Sequence, residues 1–338
     1  MGEMAQDTAG AAWSRGGACC ARLDRRRWHF QHGPIDLVLQ AEGEPQVVQQ
    51  ALADSWRRFQ SVLPQLVDEL RELRRPVNEQ PRLQGPVARR MLHACAPFAA
   101  ERFITPMAAV AGAVADELIE FFTRAGIARA FINNGGDIAV HLTGAERYRV
   151  GIRRDVSEPE RLSSTAALSC DSSFEIGALV PVRGIATSGW RGRSFSLGIA
   201  DSVTVLAADA AGADAAATLI ANAVNCECDE IVRRPADELK DETDLGSRLV
   251  TVQVPPLAPS LIGEALERGR REAEHWQRRG LIYAAALFLQ RRVALLLPRG
   301  QIAESAATAR LGQPSPQELH LRGELDPLPA SGVSARAD

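Results

Sequence analysis

Residues Ala128–Leu142 read Ala-Arg-Ala-Phe-Ile-Asn-Asn-Gly-Gly-Asp-Ile-Ala-Val-His-Leu, two apolar runs around a polar Asn-Gly-Gly-Asp. Short apolar runs bounded by Gly, Asn and Asp read as strands joined by a turn. Glycine permits the positive φ such a turn needs and lets a ligand approach the main chain. Successive N–H groups in that geometry can form an anion-binding nest. The same residues also make ordinary hairpin turns, so this stretch alone leaves both readings open. A second polar run, Gly184-Ile-Ala-Thr-Ser-Gly189, stands at the mouth of another apolar segment, Val180–Ala186.

Outward from this hairpin, strand signals recur in adjacent pairs. Arg27–His32 and Ile35–Ala41 flank a Gly33-Pro34 turn, and Tyr148–Arg153, Phe174–Leu179, Val182–Ala186, Ser202–Ala207 and Leu249–Val254 follow. Leu281–Leu289 and Val293–Leu297 form a closing pair. Helical periodicity covers Pro45–Leu73, where Pro64 should bend or break the helix. It returns at Val87–Cys95, over a helix opened by Thr105 as N-cap and Pro106 at N1 and running to Phe122, and over Ser260–Arg279. Paired strands with intervening helices predict an α+β fold, antiparallel sheet with helices on one face.

A third feature follows the strand Val203–Ala207. Asp209 is a natural N-cap for the alanine-rich run after it. On that helix Asp214 and Thr218 are four residues apart and share a face. Both offer oxygen to a hard cation, and magnesium usually takes one or two protein carboxylates plus waters and phosphate oxygens. An alanine face with a solvated Asp–Thr pair accounts for the same residues.

Composition narrows the function classes. The chain has 338 residues, 46% hydrophobic, with a net charge of −3, so neither a nucleic-acid nor a membrane-surface partner is indicated. No run is long and apolar enough to span a bilayer, and Met1–Ala18 lacks the apolar core of a signal peptide. The expectation is a cytoplasmic protein. The six cysteines form no Cys-x-x-Cys pair and have no histidine at ligand spacing, which points away from zinc. No Gly-x-Gly-x-x-Gly follows a strand and no Gly-Lys-Ser/Thr loop exists, against dinucleotide and P-loop chemistry.

Taken in order, Ile104-Thr-Pro-Met-Ala-Ala-Val-Ala-Gly112, Asn133-Asn-Gly-Gly-Asp-Ile138, Thr187-Ser188, Ala200-Asp-Ser-Val-Thr-Val205 and Asp214…Thr218 resemble the uncharacterised branch of the ApbE-like proteins, relatives of the FMN transferases. The resemblance covers roughly residues 25–300. It implies two T-fold-like halves packed around a cleft, an ApbE-like domain over 26–300, and flexible segments at 1–25 and 301–338. It further implies that Asn134, Gly135, Gly136 and Asp137 lie against a flavin nucleotide, with Thr187 and Ser188 facing the same cleft. Asp214 and Thr218 would hold magnesium at its diphosphate.

The interval Gly189–Ile199 departs from the transferases, having neither their histidine nor their Asp-Pro-x-Thr-Gly loop. General-base catalysis needs a titratable group within hydrogen-bond reach, and Ser194 or Ser196 cannot supply one unaided. Arg191 and Arg193 in this interval could fork onto phosphate or carboxylate; solvated loop arginines fit equally. The expected function is therefore binding of a small molecule, FAD, FMN, a pterin or another phosphorylated heterocycle, with Mg2+. A non-catalytic accessory protein is the alternative, and FMN transfer stands third. If the chain is an enzyme, a transferase-like activity is expected. A homodimer is compatible with the fold, which often completes a barrel by association.

Overall fold

A ββ–helices–ββ unit occurs twice in the computed structural model, which describes residues 12–15, 17–152 and 172–299. In the first half, β1 (Ala12–Arg15) and β2 (Ala18–Arg22) lead to the hairpin of β3 (Arg27–His32) and β4 (Ile35–Gly43). Helices α1 (Pro45–Asp68), α2 (Leu70–Leu73), α3 (Pro86–Cys95) and α4 (Val110–Ile119) come next, then the hairpin of β5 (Ile127–Asn134) and β6 (Asp137–Leu142). A separate ribbon of β7 (Arg147–Ile152) and β8 (Ser172–Gly177) leads to the second half. That half runs β9 (Gly184–Ser188), β10 (Ser202–Ala207) and α5 (Ala210–Ala223). A small ribbon of β11 (Val232–Pro235) and β12 (Leu249–Gln253) encloses α6 (Ala236–Leu239). Finally come α7 (Pro259–Arg278) and the hairpin of β13 (Ala284–Leu289) and β14 (Arg292–Leu296).

The main sheet has the order β1-β2-β3-β4-β5-β6-β9-β10-β13-β14, antiparallel at each step. The halves join at β6 and β9 through Ile138 opposite Ile185 and Ala139 opposite Gly184. Alternation along the strands builds two apolar layers. Leu37, Leu39, Ala130, Ile132, Ala139, Ala186, Val203, Val205 and Leu287 share one core with the helices. Phe131, Ile138, Val140, Ile185 and Leu206 face the other way, against Tyr148 and Ile176 of the β7–β8 ribbon. Each buried Leu, Ile or Val contributes roughly 1.5–3 kcal/mol. The helices thus occupy one face of an antiparallel sheet, the α+β arrangement read from the pattern.

Small residues let α5 press against its neighbours. A Cβ on Gly112 of α4 would lie 2.2 Å from the Ala210 carbonyl oxygen, and one on Gly184 of β9 would lie 1.9 Å from the Asp209 carbonyl carbon. Either position admits only glycine without backbone movement.

Several expectations need correction. The segment 1–25 includes β2, which pairs with β3 and buries Ala18 and Cys20, so the ordered sheet begins earlier than residue 26. The expected tail at 301–338 lies outside the described residues. Pro64 does not end its helix; α1 continues to Asp68 and the break falls at Glu69, one turn later. Thr105 does not cap α4. Residues Pro106–Ala109 form a 3-10 turn ahead of it, and the Thr105 hydroxyl donates to Asp244 Oδ2 at 2.5 Å. Strand β11 carries no apolar alternation of its own and was invisible to the pattern.

Candidate functional site

The Asn134-Gly135-Gly136-Asp137 stretch is a two-residue hairpin in which Asn134 pairs with Asp137. Gly135 (φ +66°) and Gly136 (φ +119°) supply the positive dihedrals that a tight hairpin needs. The expected open nest is partly closed, because the Gly136 N–H donates to Asn133 Oδ1 at 2.8 Å. Asn134 is buried, and its Nδ2 donates to the Ala111 carbonyl at 3.0 Å, tying the turn to the start of α4. Gly135 is the exposed residue of the turn.

Asp137 points into the molecule and accepts from the Thr187 N–H at 3.1 Å. Burial pushes its carboxyl up to about 7, against the pull of that N–H and of the Arg193 charge. A group titrating there can hold or release a proton near neutral pH. Asp214 reaches the same place from α5. Its Oδ2 accepts from the Gly112 N–H at 3.1 Å, in the first turn of α4. Burial, and next the Asp137 charge, hold its carboxyl well above the ordinary range. Two carboxylates from opposite halves of the chain therefore share one site and oppose each other's ionisation.

Thr187 contributes its main chain to this site and not its side chain. Its hydroxyl bonds Thr204 Oγ1 at 2.9 Å, and its neighbours Ile185 and Ala186 belong to the ribbon-side and helix-side cores respectively. Alternation thus turns Thr187 toward the ribbon and Ser188 toward the helices. Thr218 is half-buried one turn beyond Asp214 on α5. Among the described residues no group of three or more His, Cys, Asp or Glu side chains could hold a metal. Two carboxylates with a nearby hydroxyl are nonetheless a hard-oxygen set suited to magnesium, which completes its shell with waters and phosphate.

The pattern missed how the helix ends are satisfied. Asp116 of α4 accepts from the Ala210 N–H at 3.0 Å and the Ala211 N–H at 2.8 Å, capping α5, while Asp214 of α5 caps α4. Asp209 caps α5 as read, accepting from Gly212 N–H at 2.7 Å. An open cleft of about 420 Å³ lies beside this helix end, lined by Arg89, Arg90, His93 and Asp209 among others. The helix end itself offers an anion nothing there, because the Ala210, Ala211 and Gly212 amides are already taken. No sequence signal links residues a hundred positions apart in this way.

The loop after β9 also takes a defined shape. Asp201 anchors it, accepting from Trp190 Nε1 at 3.3 Å and pairing with Arg191 Nε at 3.4 Å. Arg193 instead sets its guanidinium over the turn, with its nitrogens and Cζ 3.4–3.6 Å from where a Gly135 Cβ would be. Among the described residues no helix is long and apolar enough to cross a membrane.

The family model described as AbpE bacteria matches residues 20–303. A UPF0280 protein of Methanothrix thermoacetophila is 37% identical over 165 residues, which cover 47% of this chain and 61% of that protein. A UPF0280 protein of Methanopyrus kandleri is 37% identical over 156 residues, 46% of this chain and 56% of its own length. The matches thus span little more than half of these relatives. A mutant flavin transferase ApbE from Vibrio cholerae aligns over 86% of this chain and 97% of that one, at 12% identity and a TM-score of 0.38. A likeness at that level carries no weight for ligand or reaction.

Proposed function

The chain belongs to the AbpE bacteria family, and from that premise we propose that it binds a phosphorylated heterocycle of the flavin or pterin class together with magnesium. One observation carries this reading: Asp137, buried on the Gly-Gly turn of one half, and Asp214, half-buried on a helix of the other, stand close enough for the Asp137 charge to oppose ionisation of Asp214. Like charges so placed are costly without a cation between or beside them. Asp214 and Thr218 would hold the metal and the Gly135–Gly136 turn would receive the ligand. Bound magnesium would supply charge compensation for phosphate oxygens. Asp137, oriented by the Thr187 N–H, would keep the turn aligned with the metal.

Binding is favoured over flavin transfer by the loop Gly189–Ile199, whose ionisable side chains are Arg191 and Arg193. Neither serves as a base near neutral pH. Thermal melts of the purified chain with FAD or FMN, each with and without MgCl2, test the reading. A magnesium-dependent rise in Tm with either nucleotide is expected. No response to any flavin nucleotide or pterin phosphate, with or without magnesium, would leave the accessory-protein reading in its place.

Asp214→Ala is a poor probe, because it also removes the cap of α4, worth about 1 kcal/mol. Asp214→Asn keeps an oxygen for the Gly112 N–H and deletes only the charge. It should abolish the magnesium-dependent rise while leaving the circular dichroism spectrum unchanged.

A further inference from the structure

We infer that Arg193 is the residue that reads the phosphate of the ligand, an inference that rests on the binding reading above. The loop that carries it is fixed on both sides. Upstream, the Trp190 N–H donates to the Ala200 carbonyl at 3.0 Å, and Asp201 holds Trp190 and Arg191. Downstream, Asn222 Oδ1 accepts from the Leu197 N–H at 2.8 Å, and the Ser196 carbonyl accepts from the Thr251 N–H at 2.8 Å. Between these anchors Gly192, Arg193 and Ser194 are exposed. The backbone places Arg193 while leaving its side chain in solvent.

The two arginines of this loop are used differently. Arg191 stacks on the Trp190 ring at 5.1 Å and pairs with Asp201. Arg193 has no hydrogen bond or ion pair among the described residues, yet it lies across Gly135 and is felt electrostatically by Asp137. Gly135 at +66° would strain any other residue, and a side chain there would also crowd the guanidinium. Turn and arginine together present a planar five-donor fork over an exposed glycine, with the Asp137 carboxylate buried behind the turn. A fork of that kind matches a phosphoryl group bidentately. Its placement on the solvent side of the turn puts the ligand's phosphate at the Gly135 end of the site.

The test compares FMN with riboflavin, which share a ring system and differ by one phosphate. The full chain is titrated with each at fixed MgCl2, following flavin fluorescence, as wild type, Arg193→Met, Arg193→Lys and Arg191→Met. Wild type should favour FMN. Arg193→Met should weaken FMN binding roughly 10- to 100-fold, the usual range for one charge-assisted contact, and leave riboflavin binding unchanged. Arg193→Lys should fall between, keeping the charge and losing the fork. Arg191→Met should change the two ligands equally, through the loop anchor. If Arg193→Met binds FMN as wild type does, or loses both ligands alike, Arg193 does not read phosphate and only this inference falls. If wild type binds both flavins and FMN no better than riboflavin, the phosphorylated-ligand reading falls and takes this one with it; if it binds neither flavin and no pterin phosphate, both readings fall together.

Discussion

Asp116 and Asp214 cap each other's helices, each taking two backbone amides, yet they stand in different surroundings. Asp116 is buried, and its two oxygens take the Ala210 and Ala211 amides at the start of α5. Its carboxyl is pushed up to about 7, by burial first and by the Asp209 charge next, against those amides. Asp214 is half-buried, and its carboxyl takes the Gly112 and Ala111 amides while Asp137 stands close by. The same residue type at the same helix crossing is thus an enclosed staple in one case and a half-buried staple beside a second carboxylate in the other. What separates them is exposure and the neighbour: Asp116 is enclosed, with Asp209 as its like charge, whereas Asp214 is half-buried and faces Asp137 of the Gly-Gly turn, which leaves a place for a cation.

The largest expected effect breaks both caps together. Gly112→Ala puts a methyl 2.2 Å from the Ala210 oxygen and 2.7 Å from the Ala211 nitrogen, forcing α4 and α5 apart. The cost should be about 4 kcal/mol, at the upper end for one substitution. Urea denaturation measures it, and a loss under about 1 kcal/mol would show that the crossing is slack.

Next in size is a pH effect on the staple. The Asp116 carboxyl binds its proton more tightly folded, at about 7, than unfolded, at the ordinary 3.8. Its contribution is therefore full below about pH 4 and lost as pH rises to about 7, by roughly 2–4 kcal/mol. Asp137 adds a change of the same sign over the same window. Asp116→Asn should flatten part of the slope in urea melts taken from pH 4.5 to 8. A slope identical in the two proteins would mean that Asp116 is ionised throughout and that the two amides outweigh its burial.

Asp116→Ala sharpens the contrast at fixed pH. It leaves two buried amides without an acceptor and should cost about 2 kcal/mol, against about 1 kcal/mol for Asp214→Ala, whose two freed amides adjoin a half-buried position. Equal costs would erase the distinction between the two caps. The smallest stability effect is expected for Asp214→Asn, within about 1 kcal/mol of wild type. Calorimetric titration with MgCl2 and FMN separates that small change from the expected loss of metal-dependent binding.

How much of this could be read beforehand depended on range. The hairpin around Gly135–Gly136, the strand pair β3–β4 and the Asp209 cap are local, and composition and spacing disclose them. Ala18–Arg22 escaped because five residues with two cysteines and an arginine carry little alternation, although Ala18 and Cys20 are buried once β3 is beside them. Thr105 looked like a helix cap, since a Thr-Pro pair opens helices; Asp244, 139 residues away, claims its hydroxyl instead. Of the site residues, Asp137 and Asp214 do meet. The Thr187 side chain turns away because a one-residue step along a strand changes faces, and the pattern did not fix the register. Arg193 could be placed only after the anchors of its loop were known, as Asp201 and Asn222 lie on other elements.

The seam between the halves has a kinetic consequence. β6 and β9 are joined by two residue pairs, and the contacts that bring Asp214 to Gly112 and Asp116 to Ala210 span 102 and 94 positions of chain. Loops of that length close late, after hairpins and helices that need only near neighbours. The β3–β4, β5–β6 and β13–β14 hairpins can thus form before the carboxylates are neighbours, whereas the β4–β5 and β10–β13 pairings close spans of similar length. The site forms only with these long-range pairings, so a ligand bound there selects chains whose halves have docked and stabilises the whole fold.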